Sequence, residues 1–333
     1  MILHSNIELM PLKAYIDAIN QEIHATKYGI EPSELYDPLD YIMAIGGKRL
    51  RPCMTLMAAN LWLYNWQKAI KPALAVEVFH NFTLMHDDIM DQAPLRRGNP
   101  TVHEKWDTNT AIISGDVMLV SAYELLTYVE DKHFKSVVKR FNKTAAEVCE
   151  GQQLDMVFSK KAKVTKEEYL NMIRLKTSVL LGFALELGAI VADADEESTN
   201  LLNKIGVNLG IGFQLKDDIL DVYGDPEKFG KQIGGDILEN KKTLLMIDAL
   251  DKVQGTDDEE GLAKILVNKK IKPEEKIAAV LEIFERYEVK AAVEKTMEAY
   301  FSEAFNALKL LKVQEDKKLI IRKFVEELLN REN

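Results

Sequence analysis

Residues 80–91 read HNFTLMHDDIMD, and the last six, His86-Asp87-Asp88-Ile89-Met90-Asp91, are echoed further along by Lys216-Asp217-Asp218-Ile219-Leu220-Asp221. At about 100° per residue, positions i and i+4 lie within about 40° of each other on a helix. Asp87 and Asp91 therefore stack one turn apart on one face, as do Asp217 and Asp221. Like charges so placed cost a helix a few tenths of a kcal/mol, and the apolar residues around them suggest a cavity rather than an open face. Hard oxygen ligands offered in ones and twos, with room left for water and phosphate oxygens, describe Mg²⁺ held jointly by protein and a phosphorylated substrate. One such motif alone also fits a cap cluster or a solvated acidic face. The pair is more telling, because each copy follows a long helical pattern and precedes a basic, Gly-containing loop: Arg96-Arg97-Gly98 after the first, Gly230-Lys231 after the second.

Apolar residues recur at spacings of three and four almost throughout, while alternating runs rich in Val, Ile and Thr are scarce, so the fold is predicted to be all-α. Helices are expected over 7–28, 69–92, 108–129, 133–158, 166–191, 198–223 and 241–252, with shorter amphipathic helices from there to Asn333. Pro32 and Pro38 mark a turn before a short helix that reaches Gly46-Gly47. Pro52 suits the first turn of the next helix. The cluster Pro94, Gly98 and Pro100 predicts a loop. Gly206, Gly210 and Gly212 each cost a helix roughly 1 kcal/mol relative to Ala, which points to close helix approach or room for a ligand. Gly224 to Gly235, with Asp225-Pro226, reads as a mobile lid. Basic, acidic and polar elements of one apparent site are spread over both halves. The expectation is one large helical domain over 1–333, with a central cavity between helices.

The net charge of −10 argues against nucleic acid, which selects a basic stripe. Cys53 and Cys149 lie far apart without metal-ligand spacing, which suits a reducing, cytoplasmic setting. Met1 to Met10 has no secretory pattern. The most apolar run, Val179 to Ala192, is interrupted by Glu186 and is too short to span a bilayer, so it reads as a buried helix and the protein as no integral membrane protein.

In order along the chain come Gly46-Gly47-Lys48-Arg49-Leu50-Arg51-Pro52, Asp87 to Asp91 with Arg96-Arg97-Gly98, Pro100-Thr101 and His103, then Gly151-Gln152-Gln153-Leu154-Asp155 and Lys176-Thr177. Phe213-Gln214 lead into Asp217 to Asp221, followed by Gly230-Lys231, Gly235-Asp236 and Lys241-Lys242-Thr243. In these segments the sequence resembles the trans-isoprenyl diphosphate synthases, also called polyprenyl synthetases. That resemblance implies the isoprenoid synthase fold, a homodimer, and the joining of an allylic diphosphate to isopentenyl diphosphate with Mg²⁺ as cofactor.

By the same resemblance, Asp87, Asp91 and Asp217 are expected to hold metal, with Asp88, Asp218 and Asp221 as further ligands or their supports. Arg96, Lys176, Lys231 and Lys241 are expected around the allylic diphosphate. Lys48, Arg51, His80 and Arg97 are expected to grip isopentenyl diphosphate without metal; the planar fork of Arg suits phosphate oxygens. Thr177 and Gln214 are expected to turn oxygen dipoles toward an allylic cation, although a bond to the i−4 carbonyl for Thr177 and a helix-helix contact for Gln214 remain open. His86 reads as structural, and His103 has no physical role assigned.

Product length turns on Phe82, about 7.5 Å up the helix axis from Asp87, and Phe79, about 12 Å up. In the resembled family a ring at the fifth position before the acidic motif limits growth. The uninterrupted DDIMD spacing and Thr83 match the archaeal geranylgeranyl pattern, so geranylgeranyl diphosphate is the expected product and farnesyl diphosphate the alternative. Core packing remains the other reading of both rings. A terpene cyclase, a His-Asp phosphohydrolase and a regulatory subunit of a heteromeric synthase are rivals; two complete acidic motifs and a separate basic segment argue against all three.

Overall fold

A computed structural model describes residues 10–224 and 234–329. Of the described residues 78% are helical, and their only strands are two of two residues each. The helices are α1 (Met10–Ala25), α2 (Ser33–Ala44), α3 (Leu50–Asn60), α4 (Ile70–Met90), α5 (Val102–Lys105), α6 (Thr108–Leu126), α7 (Asp131–Phe158), α8 (Lys166–Ile173) and α9 (Val179–Val191). They continue as α10 (Glu196–Tyr223), α11 (Gly235–Leu238), α12 (Leu244–Val253), α13 (Asp258–Val267), α14 (Pro273–Arg286), α15 (Val289–Leu310) and α16 (Glu315–Leu329). The all-α expectation holds. The helices gather into two compact units: the first runs up to Thr144 and includes Leu180–Asn203 and Leu310–Ile321, the second is Ala145–Val179, Lys204–Lys309 and the chain from Arg322.

In the first unit α1 buries Tyr15, Ile19 and Ile23, one stripe at i, i+4 and i+8. Pro38 does not make a turn. It is buried inside α2 beside Leu39, Ile42 and Met43. The backbone bond it forfeits is the one to the carbonyl of Glu34, an exposed first-turn residue, so burying the ring outweighs the loss. Helices α4 and α6 pack along each other, and Gly115 makes this possible: a Cβ there would lie 2.2 Å from Nε2 of His86. His86 also bonds the Ile112 carbonyl at 3.1 Å, which agrees with a structural role. Behind α4 an aromatic core gathers Phe79, Phe141, Phe183 and Tyr123, with ring centroids of 4.9–5.6 Å between neighbours. The apolar α9 is buried as expected, and its one charge, Glu186, is met by Arg140 and by Asn203 at 3.1 Å. Among the described residues no helix is long and apolar enough to cross a membrane.

In the second unit the expected helix over 166–191 is interrupted. A capping box of Thr165 and Glu168 starts α8, and one wide π turn, Arg174–Ser178, separates it from α9. Neighbouring helices close on this turn through glycine. A Cβ on Gly151 would stand 2.1 Å from the backbone nitrogen of Lys176, and one on Gly210 would stand 2.6 Å from the α-carbon of Ser178. Gly212 likewise admits the Phe301 ring, so close packing accounts for two of the three α10 glycines. Helix α15, with 22 residues, is longer than the short C-terminal helices expected.

Candidate active site

The first acidic motif ends α4. Asp91 is exposed, Asp87 is half-buried, and Asp88 is turned into the protein at 2% exposure. The segment 95–100, expected as a loop, is a hairpin pairing Leu95 with Pro100 and Arg96 with Asn99. Its turn has φ of 52° at Arg97 and 76° at Gly98, positive at both central residues as a type I′ turn requires, which explains the glycine. The hairpin swings Arg96 back onto Asp88, where Nε meets both carboxylate oxygens at 2.8–2.9 Å and Nη2 adds a third bond at 2.6 Å. Burial pulls the Arg96 pKa down, but the bonds to Asp88 and the charges of Asp88, Asp87 and Asp91 outweigh it and raise it. Asp88 is thus engaged as the support of Arg96.

Arg97, at the hairpin tip, donates to the Gly46 carbonyl. A Cβ on Gly47 would lie 2.7 Å from Arg97 Nη1, so Gly47 makes room for the arginine. Lys48 is exposed. Arg51 donates to His80 Nε2 at 3.0 Å, and because arginine has only donors, His80 is the acceptor and carries its proton on Nδ1. Burial, then the charges of Arg51, Arg97, Arg96 and Arg49, push His80 well below the usual imidazole range; burial pushes Arg51 down to about 10. Three of the four residues expected to take the second diphosphate therefore lie on one basic surface of the first unit. Arg49, sandwiched among them in sequence, is different. Held at φ 48°, it is 5% exposed and binds Glu77 at 2.7 Å, the Met43 carbonyl at 2.7 Å and Asn20 at 3.2 Å. Sequence reasoning missed this anchor, and its one signal was Glu77 inside an apolar helical run.

Phe79 is fully buried and belongs to the aromatic core, whereas Phe82, at 9%, sits edge-on to His86 with centroids 4.8 Å apart. Of the two expected floors, the geometry leaves Phe82 nearer the acidic motif.

The second unit repeats the arrangement of the first motif. Asp217 and Asp221 are half-buried, and Asp218 is turned inward at 4% exposure. Asp218 accepts from the hydroxyl of Tyr169 and, at 3.1 Å, from Nε2 of Gln214. Burial pushes its carboxyl up to about 7, against the pull of those two hydrogen bonds. Thr177, on the π turn, bonds Gln214 Oε1 at 3.5 Å and not its own helix, so the two residues expected to face a cation are in contact. Lys176 reaches Asp155 at 2.6 Å, which gives the Gly151 to Asp155 segment its purpose: the glycine admits the backbone of Lys176 and the aspartate holds its ammonium. Asp221 accepts from the backbone N–H of Asp236 at 2.9 Å, and Asp236 in turn pairs with Lys241 at 3.0 Å. Lys276 of α14, which no motif flagged, bonds the Leu238 carbonyl at 3.1 Å and Asn240 at 2.8 Å, pinning this loop from behind. Lys231 and most of the expected lid lie outside the described residues.

Both motifs present a first and a last carboxylate at the helix surface and keep the middle one inside. Among the described residues no three His, Cys, Asp or Glu side chains converge to hold an ion by themselves. Such a donor set fits Mg²⁺, which keeps waters and takes phosphate oxygens beside one or two carboxylates.

Residues 32–284 match the polyprenyl synthetase family. The geranylgeranyl diphosphate synthase of Methanosarcina mazei is 42% identical over 248 residues, 74% of this chain and 75% of that one. A solved geranylgeranyl pyrophosphate synthase superposes with a TM-score of 0.91 at 44% identity, covering 97% of this chain and 99% of the other. The enzyme of that name from Pyrococcus horikoshii gives 0.90 at 30% identity, covering 99% of this chain and all of the other. The chain belongs to the polyprenyl synthetase family and has its isoprenoid synthase fold. It is a trans-prenyltransferase.

Proposed function

We propose that this enzyme joins an allylic diphosphate to isopentenyl diphosphate and releases geranylgeranyl diphosphate. The observation that carries the reading lies in the first unit, where a carboxylate set suited to Mg²⁺ and a separate basic surface of Arg51, Arg97 and His80 stand on and around one helix. Such a pair serves two diphosphates of different fate, one activated by metal and one gripped without it. The similarity to geranylgeranyl diphosphate synthases supports the product assignment.

In this reading Asp87 and Asp91 of the first unit, and Asp217 and Asp221 of the second, would hold magnesium, with Asp88 and Asp218 as their inward supports. Magnesium held there would neutralise diphosphate oxygens and make the group able to leave. Arg96, Lys176, Lys231 and Lys241 set fixed positive charge where negative charge grows as the allylic C–O bond breaks. Lys48, Arg51, Arg97 and His80 keep the other diphosphate intact and aim its alkene at the allylic carbon. A new C–C bond forms, and the adduct gives a proton to the departed diphosphate. Thr177 and Gln214 face the cation with oxygen lone pairs, and Phe82 stops the growing chain. A homodimer is supported by the outer face of α6, where Ile112, Ile113 and Val120 are 41–65% exposed on a helix otherwise packed on α4.

The test uses the purified chain with Mg²⁺, dimethylallyl diphosphate and isopentenyl diphosphate, followed by chromatography of the products. A twenty-carbon diphosphate is expected. Failure to consume isopentenyl diphosphate would overturn the reading, and a fifteen-carbon product would replace geranylgeranyl by farnesyl diphosphate.

A further inference from the structure

We propose that Tyr169 is a positioning residue for prenyl transfer: through Asp218 it fixes which way round the amide of Gln214 sits, and thereby which way the hydroxyl of Thr177 points. The inference rests on the prenyl-transfer reading above and adds to it a residue outside every motif.

Four side chains form one hydrogen-bonded chain within the second unit. Tyr169, on α8 and 4% exposed, donates its hydroxyl to Oδ2 of Asp218, and Oδ1 of Asp218 faces Nε2 of Gln214 at 3.1 Å. The other end of that amide, Oε1, faces the Thr177 hydroxyl at 3.5 Å. The polarity of the chain follows from the donor inventory. The Tyr169 hydroxyl donates to one carboxyl oxygen of Asp218 and the other oxygen accepts from Nε2 of Gln214, so Gln214 turns its NH₂ toward Asp218 and its oxygen toward Thr177. The proton of Thr177 is then directed to Gln214, and its lone pairs are left for the surroundings. Thr177 lies on the π turn at half-buried exposure, as a group serving a ligand requires. With the amide reversed, Nε2 would present its positive end to Thr177 and the hydroxyl proton would swing outward, the wrong sign for stabilising an allylic cation. Tyr169 prevents reversal by holding Asp218 in place from the side opposite Gln214.

The experiment compares wild type, Tyr169→Phe, Gln214→Met, the double variant and Asp218→Asn. Readouts are steady-state coupling, calorimetric binding of an unreactive thiolo-diphosphate analogue with Mg²⁺, and thermal melting to confirm folding. Tyr169→Phe is expected to lower kcat about tenfold to a hundredfold, the range for removing a group that orients another, with both KM values and the analogue affinity within about twofold of wild type. In the Gln214→Met background the same change is expected to cost less than about twofold, because its target is already gone. Asp218→Asn, whose amide can donate and so permits reversal, is expected to lose at least as much kcat as Tyr169→Phe. An unchanged kcat in Tyr169→Phe, a full additional loss in the double variant, or loss of analogue binding in Tyr169→Phe overturns the inference. Coupling by the wild-type chain in the same assay separates those outcomes from failure of the prenyl-transfer reading itself.

Discussion

Arg96 closes on Asp88 with its Nε and Nη2 nitrogens, at 2.6–2.9 Å from the two carboxylate oxygens, so the middle residue of the first acidic motif is occupied by the protein itself. The neighbours in the motif are not equivalent. Replacing Asp88 by Ala should free Arg96 and raise the KM of the allylic diphosphate about tenfold, with a small change in the Mg²⁺ activation constant. Replacing Asp87 by Ala should shift that constant by on the order of a hundredfold and depress kcat with it. Magnesium titrations at saturating substrate, run on both variants, check the contrast.

Arg49 and Glu77 form a buried ion pair, with side chains 3% and 5% exposed. Glu77→Ala strands a buried guanidinium, and destabilisation of about 3–5 kcal/mol is expected, read as a lower urea midpoint. The paired change Arg49→Met with Glu77→Leu should recover most of that loss, since no charge is then left unpartnered. The KM for isopentenyl diphosphate should remain raised in the double variant, because the arginine also ties the backbone between Lys48 and Arg51 to the Met43 carbonyl and to Asn20.

His80 is held well below its ordinary pKa of 6.5 by burial and by the arginines around it. Between its folded pKa and 6.5 the unfolded chain binds a proton that the folded chain refuses. Stability contributed by this group is therefore present above pH 6.5 and falls as the solution is acidified through that window. His80→Gln should flatten this part of a melting-temperature profile taken from pH 5 to 8. In the wild type the KM for isopentenyl diphosphate should show no imidazole titration between pH 6.5 and 8.

Phe82 and Phe79 separate by consequence. Phe82→Ala should lengthen the product by one or more five-carbon units with modest loss of stability, seen by chromatography of the prenyl alcohols. Phe79→Ala removes a ring that touches both Phe82 and Phe141 and should cost about 3–5 kcal/mol as a core truncation, with little effect on product length.

Much of the fold was legible because its signals are local. Three-four periodicity placed most of the long helices to within a few residues, and the Glu186 interruption did not disguise a buried α9. The misreadings were also local rules overridden by packing. Pro38 read as a turn but is carried inside α2 by the apolar stripe it belongs to. The segment after Pro94 read as a loop because two-residue strands leave no periodicity, although Arg97-Gly98 has the chemistry of a tight turn. The π turn at Arg174–Ser178 was invisible, since an extra residue in one turn leaves the composition of the helix unchanged.

The candidate site divides along the same line. The sequence alone established that Asp87 and Asp91, and likewise Asp217 and Asp221, share a helix face, because that follows from residues per turn. It also established the all-α class and the two kinds of charged segment. Only the tertiary structure decided that Asp88 and Asp218 point inward to Arg96 and Tyr169, that Arg49 is an anchor rather than a substrate ligand, and that Lys276 pins the loop behind Asp236. Helical phase says which residues point the same way. It does not say which donor from 49 residues away will be waiting on the other face, because that depends on how the elements pack, and a buried carboxylate must find such a partner or lose its charge.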